Sequence, residues 1–357
     1  MAAYNAAPYI HEAAASVLTQ TYRDFELIVV DDSSTDDTPA ILQSMSDPRL
    51  RVIRHETNVG AALSRNDALL AARGELIAIM DADDVCAPTR LERQVAFLDA
   101  HPDTGIVGCG VYDNIDTDGK VLCSSFLPRE DEWIQRAILV EWCFLHSSIT
   151  FRKSLYERVG GYRAVFEPAE DHDFVLRVLE HTRAHNLNEG LVSYRINPKG
   201  LSVLGHLYSK QLRDTATRLA FRRRSGQPEH LDREMPRILQ LRERRKPAQS
   251  FAGFFERWSD SLFTARRYYE FGRSEMRAGR GIRARRCFAK SLLANGLLAK
   301  SWAGMALSMA TLVAGKFRFA SHAPQRGAFR LEQSIEKDTY VAACNPGRFC
   351  STSETGD

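Results

Sequence analysis

A chain of 357 residues, 44% hydrophobic and 26% charged, has the composition of a globular protein and enough length for two domains. A formal net charge of +3 gives no reason to expect a nucleic-acid partner. Seven scattered cysteines without a CxxC pair exclude a disulfide scaffold and read as free thiols of a reducing compartment; with no basic and then apolar leader at residues 1–5, the expected location is the cytoplasm.

Along the chain, Phe25-Glu26-Leu27-Ile28-Val29-Val30 is a short apolar, β-branched run, as buried parallel strands are. Thr38-Pro39 opens a helix, with Thr38 as N-cap and Pro39 in the first position. A brief strand over 51–54, a helix over 58–72 that stops at Gly74, and a strand over 75–80 follow. The next helix, 88–100, carries Leu91, Val95 and Leu98 on one face, and a strand over 106–108 continues the sheet. Regularity loosens over 115–150, although 148–151 reads as a strand; a helix over 171–180 and a last short strand over 191–194 complete the series. Such alternation implies an α/β fold with a mostly parallel sheet flanked by helices.

After Gly205 the sequence becomes helical and arginine-rich, with Arg222-Arg223-Arg224 and Arg285-Arg286 among its basic runs. A helical hairpin around Gly279-Arg280-Gly281 resembles one tetratricopeptide-like unit, and residues 301–315 are nearly all apolar yet shorter than the roughly 20 residues a membrane span needs. The expected division is 1–204, 205–332 and a disordered tail over 333–357. The basic helices read either as a solvated face or as a peripheral contact with anionic lipid or a lipid-diphosphate acceptor at the inner face of the membrane.

Four clusters carry candidate chemistry. The strand over 75–80 ends on Asp81-Ala82-Asp83-Asp84, placing several carboxylates at a sheet rim where ligands of open α/β sheets bind. Mg²⁺ or Mn²⁺ held by one or two carboxylates plus substrate phosphates fits that pattern, as does an Asp-rich turn that binds nothing. A second strand ends on Asp31-Asp32, in a loop running to Thr38; one Asp could accept hydrogen bonds from a base or ribose, or the loop could be only a capping turn. Arg65 follows the Asn58-Val59-Gly60 turn on a helix, within reach of a phosphate or simply on the surface. Glu170-Asp171 opens a helix, where a carboxylate is either a general base or a complement to the helix dipole.

These pieces, in this order and spacing, resemble family 2 glycosyltransferases of the GT-A fold. The resemblance runs from Tyr4 to about Ser202 and includes Ser16-Val17-Leu18-Thr19-Gln20-Thr21-Tyr22, Asp31-Asp32-Ser33-Ser34-Thr35-Asp36, Asn58-Val59-Gly60, Arg65-Asn66, Asp81-Ala82-Asp83-Asp84, Gly160-Gly161-Tyr162, Glu170-Asp171 and Tyr194-Arg195. It implies a nucleotide-diphospho-sugar transferase fold with a C-terminal helical extension. It also implies a nucleotide-sugar donor, a glycan or lipid-linked acceptor and a divalent metal cofactor, Mn²⁺ or Mg²⁺, in cell-surface polysaccharide or glycolipid synthesis. By the same resemblance Asp32 contacts the base, Ala2 and Tyr4 line its pocket, and Arg65 approaches the diphosphate. Asp81 and Asp83 form the DxD pair, Asp83 or Asp84 touches the metal, Asp171 is the base with Glu170 beside it, and His146 shapes the acceptor side. The implied reaction is a single displacement with inversion.

One departure stands out: the β-branched strand that such proteins carry just before Tyr4 is expected to be almost entirely missing, which points to a true start upstream of Met1. Two competing readings are a haloacid dehalogenase-type phosphohydrolase, in which Asp81 of Asp81-Ala82-Asp83 is a nucleophile, and a non-catalytic nucleotide-sugar binding protein disabled by truncation. The first leaves Asp31-Asp32 and Glu170-Asp171 without a role. Gly108-Cys109-Gly110 lacks the third glycine of a dinucleotide fingerprint.

Overall fold

The computed structural model describes residues 1–197, 200, 206–244, 269 and 281–294, all within one compact unit, Met1–Thr311. The apolar stretch 301–315, the tail from 333 and the turn at 279–280 lie outside these residues.

Two sheets organise the structure. β1 (Ala2–Ala3), β2 (Leu27–Asp31) and β3 (Leu50–Arg54) form a three-stranded parallel sheet in that order, with Ala2 opposite Val30 and Leu27 opposite Leu50. All five residues of β2 are buried, in keeping with its unbroken apolar run between two covered faces. The first strand, expected to be nearly absent, is present as the two-residue β1. It still engages β2: Val30 N–H donates to Met1 O and Asp32 N–H to Ala3 O, both at 2.8 Å.

The second sheet has six strands: β4 (Leu76–Ala78), β5 (Val85–Cys86), β6 (Thr104–Ile115), β7 (Val121–Phe126), β8 (Thr150–Arg152) and β9 (Arg183–Arg195). Their order is β4-β8-β6-β9-β5, with β7 paired to β6. β6 and β9 run parallel; the other ladders are antiparallel. The loosened region 115–150 therefore contains a hairpin strand, β7, and a helix, α5 (Asp131–Ala137), that periodicity did not reveal. The short strand expected over 191–194 is the end of a longer one, because pairing with β6 draws polar residues such as His185 and Asn186 into the ladder.

The remaining helices are α1 (Ile10–Leu18), α2 (Thr38–Ser44), α3 (Ala61–Ala71), α4 (Arg90–Ala100), α6 (Lys153–Val159), α7 (Glu170–Val178), α8 (His206–Arg224), α9 (Leu231–Arg244) and α10 (Gly281–Ala294). Thr38, expected to cap α2 from outside, is its first residue; Asp36 accepts the Thr38 N–H (3.0 Å) and hydroxyl (2.6 Å) instead. α3 starts at Ala61 rather than Asn58, since 58–60 form a turn around Asp32.

Two apolar clusters fill the unit. One joins Ile106, Phe151 and Phe174 to Leu212, Leu219 and Ile238, so α8 and α9 share a core with α7. The other packs Val29, Ile10, Leu98, Val107 and Leu191. Between them the buried Arg90 guanidinium donates to Ile79 O (2.8 Å) and Ile149 O (3.2 Å), fixing the stretch of chain that leads to Asp81. Among the described residues the five cysteines are free and buried, and no helix is long and apolar enough to cross a membrane.

Candidate active site

Three elements converge on one guanidinium. Arg65, on α3, donates from Nη2 to Asp81 Oδ1 (2.9 Å), beyond the end of β4, and from Nη1 to Glu170 Oε1, at the start of α7. Its position is fixed locally. The adjacent Asn66 side chain accepts the Tyr162 N–H (2.7 Å) and donates to Tyr162 O (2.8 Å). A Cβ on Gly161 would stand 2.3 Å from Asn66 Oδ1, so the glycine permits this close approach. Gly60, at φ 97°, precedes α3, and Glu167 accepts the Ala62 N–H at 3.1 Å, satisfying one of the open donors of the helix start. Asn58-Val59-Gly60, Arg65-Asn66 and Gly160-Gly161-Tyr162, read in the sequence as motif pieces, are thus parts of one support for Arg65.

Asp81 is the most heavily partnered carboxylate of its cluster. Its Oδ2 accepts the Ser147 hydroxyl (2.9 Å) and lies 3.6 Å from His146 Nδ1. Burial opposes its ionisation, but Arg65 and His146 prevail and hold the carboxyl well below the usual carboxylate range. Asp83 and Asp84 behave in the opposite way. Burial and the charge on Asp81 push Asp83 up to about 6, although Asn197 Nδ2 donates to its Oδ2 (3.2 Å). Asp84 is fully buried; Oδ1 accepts the Arg195 N–H (2.7 Å), Oδ2 has no hydrogen-bond partner, and burial with the charges on Asp83 and Asp81 drives this carboxyl well above its ordinary value. Arg195 also donates to Asp83 O (2.7 Å) and Glu12 Oε2 (2.6 Å), holding the acidic turn from behind.

At the start of α7, Glu170 is buried and its Oε2 lacks a partner. Asp171 is half-buried; its Oδ1 accepts the His172 N–H at 2.7 Å. Burial raises the Asp171 carboxyl, His146 and Arg65 draw it down, Glu170 pushes it up, and the net direction is upward. His146 links the two sides, with Nε2 3.1 Å from Tyr162 Oη. Arg65, Asp81, Glu170, Asp171 and His146, selected from the sequence, are therefore brought together, with Asp83 and Asp84 in the turn beside them.

Asp32, Ala2 and Tyr4 lie around β1 and the 58–60 turn, and the buried Met1 amino group of this segment is within electrostatic range of Arg65 and Asp81. Asp32 is buried; Oδ1 accepts the Val59 N–H (2.9 Å) and faces His55 Nδ1 (2.8 Å), and Oδ2 accepts the Gly60 N–H (2.9 Å). Ala2 sits half-buried in β1 and Tyr4 is exposed. Sequence reasoning missed Ser147, Tyr162, His55 and the supporting role of Arg195. Tyr194-Arg195 and Gly160-Gly161-Tyr162 stood in the motif series and signalled two of these, whereas no local pattern marks His55.

The family model described as Glycosyl transferase family 2 matches residues 1–160. A Bacillus subtilis protein named as a glycosyltransferase, EpsE, is 37% identical over 203 residues, which cover 55% of this chain and 71% of that protein. The O-antigen biosynthesis glycosyltransferase WbnJ of Escherichia coli is 30% identical over 204 residues, covering 56% of this chain and 79% of the relative. In three dimensions, residues 1–349 of S. aureus TarS, solved with UDP-GlcNAc, align with a TM-score of 0.50 at 19% identity, over 90% of this chain and 91% of that one, a likeness of fold. The α/β architecture is that of a GT-A glycosyltransferase. The chain belongs to glycosyltransferase family 2. That membership sets aside the phosphohydrolase reading of Asp81-Ala82-Asp83.

Proposed function

We propose that the chain transfers a sugar, with inversion, from a nucleotide-diphosphate sugar to an acceptor hydroxyl, using Asp171 as the base and a divalent metal as cofactor. The observation that carries this reading is the meeting of Arg65, Asp81 and Glu170 beside Asp171, whose carboxyl is shifted upward by burial, the direction that favours a general base. In the reaction, a bond forms between the acceptor oxygen and the anomeric carbon as the bond from that carbon to the diphosphate breaks, and the hydroxyl proton passes to Asp171. Arg65 offers positive charge on the donor side, and His146 with Tyr162 walls the side from which the acceptor approaches.

The acidic turn fits a hard cation. Like charges raise Asp83, and Asp84 Oδ2 is buried without a partner, so positive charge here relieves an existing strain. No group of three or more His, Cys, Asp or Glu among the described residues is arranged to hold a metal alone. Mn²⁺ or Mg²⁺ would be held here by Asp83, with Asp81 or Asp84, only together with donor phosphates. When bound, the ion supplies neutralisation of the charge that grows on the departing diphosphate.

The name of WbnJ supports a place in cell-surface polysaccharide synthesis. Titration of nucleotide sugars, with and without Mn²⁺, against the melting temperature tests the reading: one donor class raises Tm in a metal-dependent way, because binding to the folded state stabilises it. No stabilisation by any nucleotide sugar would overturn it.

A further inference from the structure

α8 lies beyond the stretch that carries the family motifs, yet one of its faces meets the start of α7. Ser209, Arg213 and Thr217 recur every four residues along that face. Thr217 Oγ1 lies 3.1 Å from His172 Nε2, and Arg213 Nη1 donates to Ser209 Oγ at 2.8 Å. The Arg213 guanidinium stands 5.5 Å from the centre of the Trp142 ring, which meets the His172 imidazole edge-on at 5.3 Å. A narrow crevice bounded by Trp142, Phe144, His146, Asp171 and His172 opens at this place.

Arg213 differs from its neighbours in the ion pairs it lacks. Arg218 pairs with Glu234 (3.1 Å), Arg223 with Glu180 (2.7 Å) and Glu229 (2.9 Å), and Arg163 with Asp173 and Glu229. Half-buried Arg213 makes no ion pair among the described residues, and only Nη1 donates a hydrogen bond to them. Taking a cation partly out of water without a directly paired counter-charge is costly, so a ligand that supplies one is favoured. Burial weakens Arg213's hold on its proton while Asp171 and Asp214 strengthen it, which sets the guanidinium within electrostatic range of Asp171. A guanidinium presents a planar fork suited to carboxylate and phosphate, and an indole 38% exposed offers apolar surface to a sugar ring.

We infer that Trp142 and Arg213 form an acceptor subsite beside Asp171, in which the indole packs on an acceptor sugar and Arg213 binds an anionic group of that saccharide, phosphate or carboxylate. This rests on the reading of Asp171 as the base. The subsite joins α8 to the chemistry of the family region.

The test uses the full chain saturated with UDP and Mn²⁺, which keeps the donor site filled, and titrates glucose-1-phosphate, glucuronic acid and methyl glucoside by saturation-transfer NMR. One or both anionic probes bind more tightly than methyl glucoside; whichever binds identifies the anionic group. Arg213→Gln weakens that binding about 10–100-fold and leaves UDP affinity unchanged, Arg213→Lys retains part of it, and Trp142→Ala weakens all three probes. Unchanged UDP affinity also reports that each variant is folded. Equal binding of neutral and anionic probes, no binding of either anion, or indifference to Arg213→Gln overturns the inference. Failure of UDP to bind the unaltered chain is a separate result that overturns the donor reading, and the anion probes are then titrated alone.

Discussion

Two carboxylate clusters end two strands of this molecule, and their surroundings differ. After β2, Asp31, Asp32 and Asp36 are closed into the structure: Asp31 accepts the Ser34 N–H (3.2 Å), Asp32 clasps the 59–60 backbone, and Asp36 ties α2 to Ala7 N–H (3.0 Å). Beyond β4, Asp81 is neutralised by Arg65, but Asp83 and Asp84 repel one another and Asp84 keeps a buried oxygen without a partner. In the first cluster Asp32 and Asp36 are satisfied by their own chain, while the buried Asp31 Oδ2 has no hydrogen bond and faces Arg54 Nε at 3.3 Å; the second carries an excess of negative charge. Similar sequence thus yields carboxylates tied to the local backbone in one place and carboxylates left with unbalanced charge in the other, the imbalance on which the proposed metal site rests.

Substitutions can break or sharpen that contrast. The largest effect is expected at the reacting carboxylate: Asp171→Asn lowers transfer about 10²–10⁴-fold while leaving nucleotide-sugar affinity near its original value, measured by turnover and calorimetry. Loss of donor affinity in that variant would assign Asp171 to recognition instead. Next comes a fully neutralised carboxylate two residues away. Asp173 is buried between Arg163 (2.9 Å) and Arg177 (3.0 Å), and Asp173→Ala destabilises by about 3–5 kcal/mol in urea denaturation, because buried Arg177 loses its counter-charge and Arg163 keeps only Glu229.

Asp36→Ala removes three accepted hydrogen bonds and costs about 1–2 kcal/mol of stability, with turnover per folded molecule unchanged. Asp83→Asn has the opposite sign. The folded state raises this carboxyl to about 6, so its ionised form opposes folding, increasingly as pH climbs from the unfolded value and fully above 6. At pH 7 the variant is on the order of 1 kcal/mol more stable without ligands, yet metal-dependent donor binding is lost. A destabilised Asp83→Asn protein would remove the contrast between the clusters. The smallest effect is a slope: stabilisation by UDP with Mn²⁺ shrinks as pH falls through about 6, since protonated Asp83 no longer attracts a cation. Transfer rate likewise falls on the acid side, at a pH shifted upward from that of an ordinary aspartate, because Asp171, as the proposed base, accepts a proton only when ionised.

Sequence reasoning reached those parts of the fold in which local chemistry and tertiary structure agree. β2 was legible from Leu27-Ile28-Val29-Val30 because apolar, β-branched residues suit a strand buried on both faces. α4 was legible from Leu91 and Leu98, which are both buried. β7 and the first half of β9 were hidden, since Arg183, His185 and Asn186 have no strand preference and are recruited by the ladder with β6. The grouping of Arg65, Asp81, Glu170 and Asp171 came from their order along the chain. The environment of Arg213 could not, because it depends on how α8 docks against Trp142 and α7, a long-range packing with no local signature.

The clamp on Asp173 has a further consequence. Arg177 also donates to Val159 O and Gly161 O, each at 2.7 Å, so α7 is bolted to the turn that carries Tyr162. Asp171 lies in the first turn of a helix that is held from the interior by Arg177 and Asp173, on the side away from Trp142. If Asp171 is the base proposed above, substitutions on the Trp142 side of the crevice alter what it admits while the Asp173 clamp still holds α7 in place, so selectivity is open to redesign separately from the chemistry.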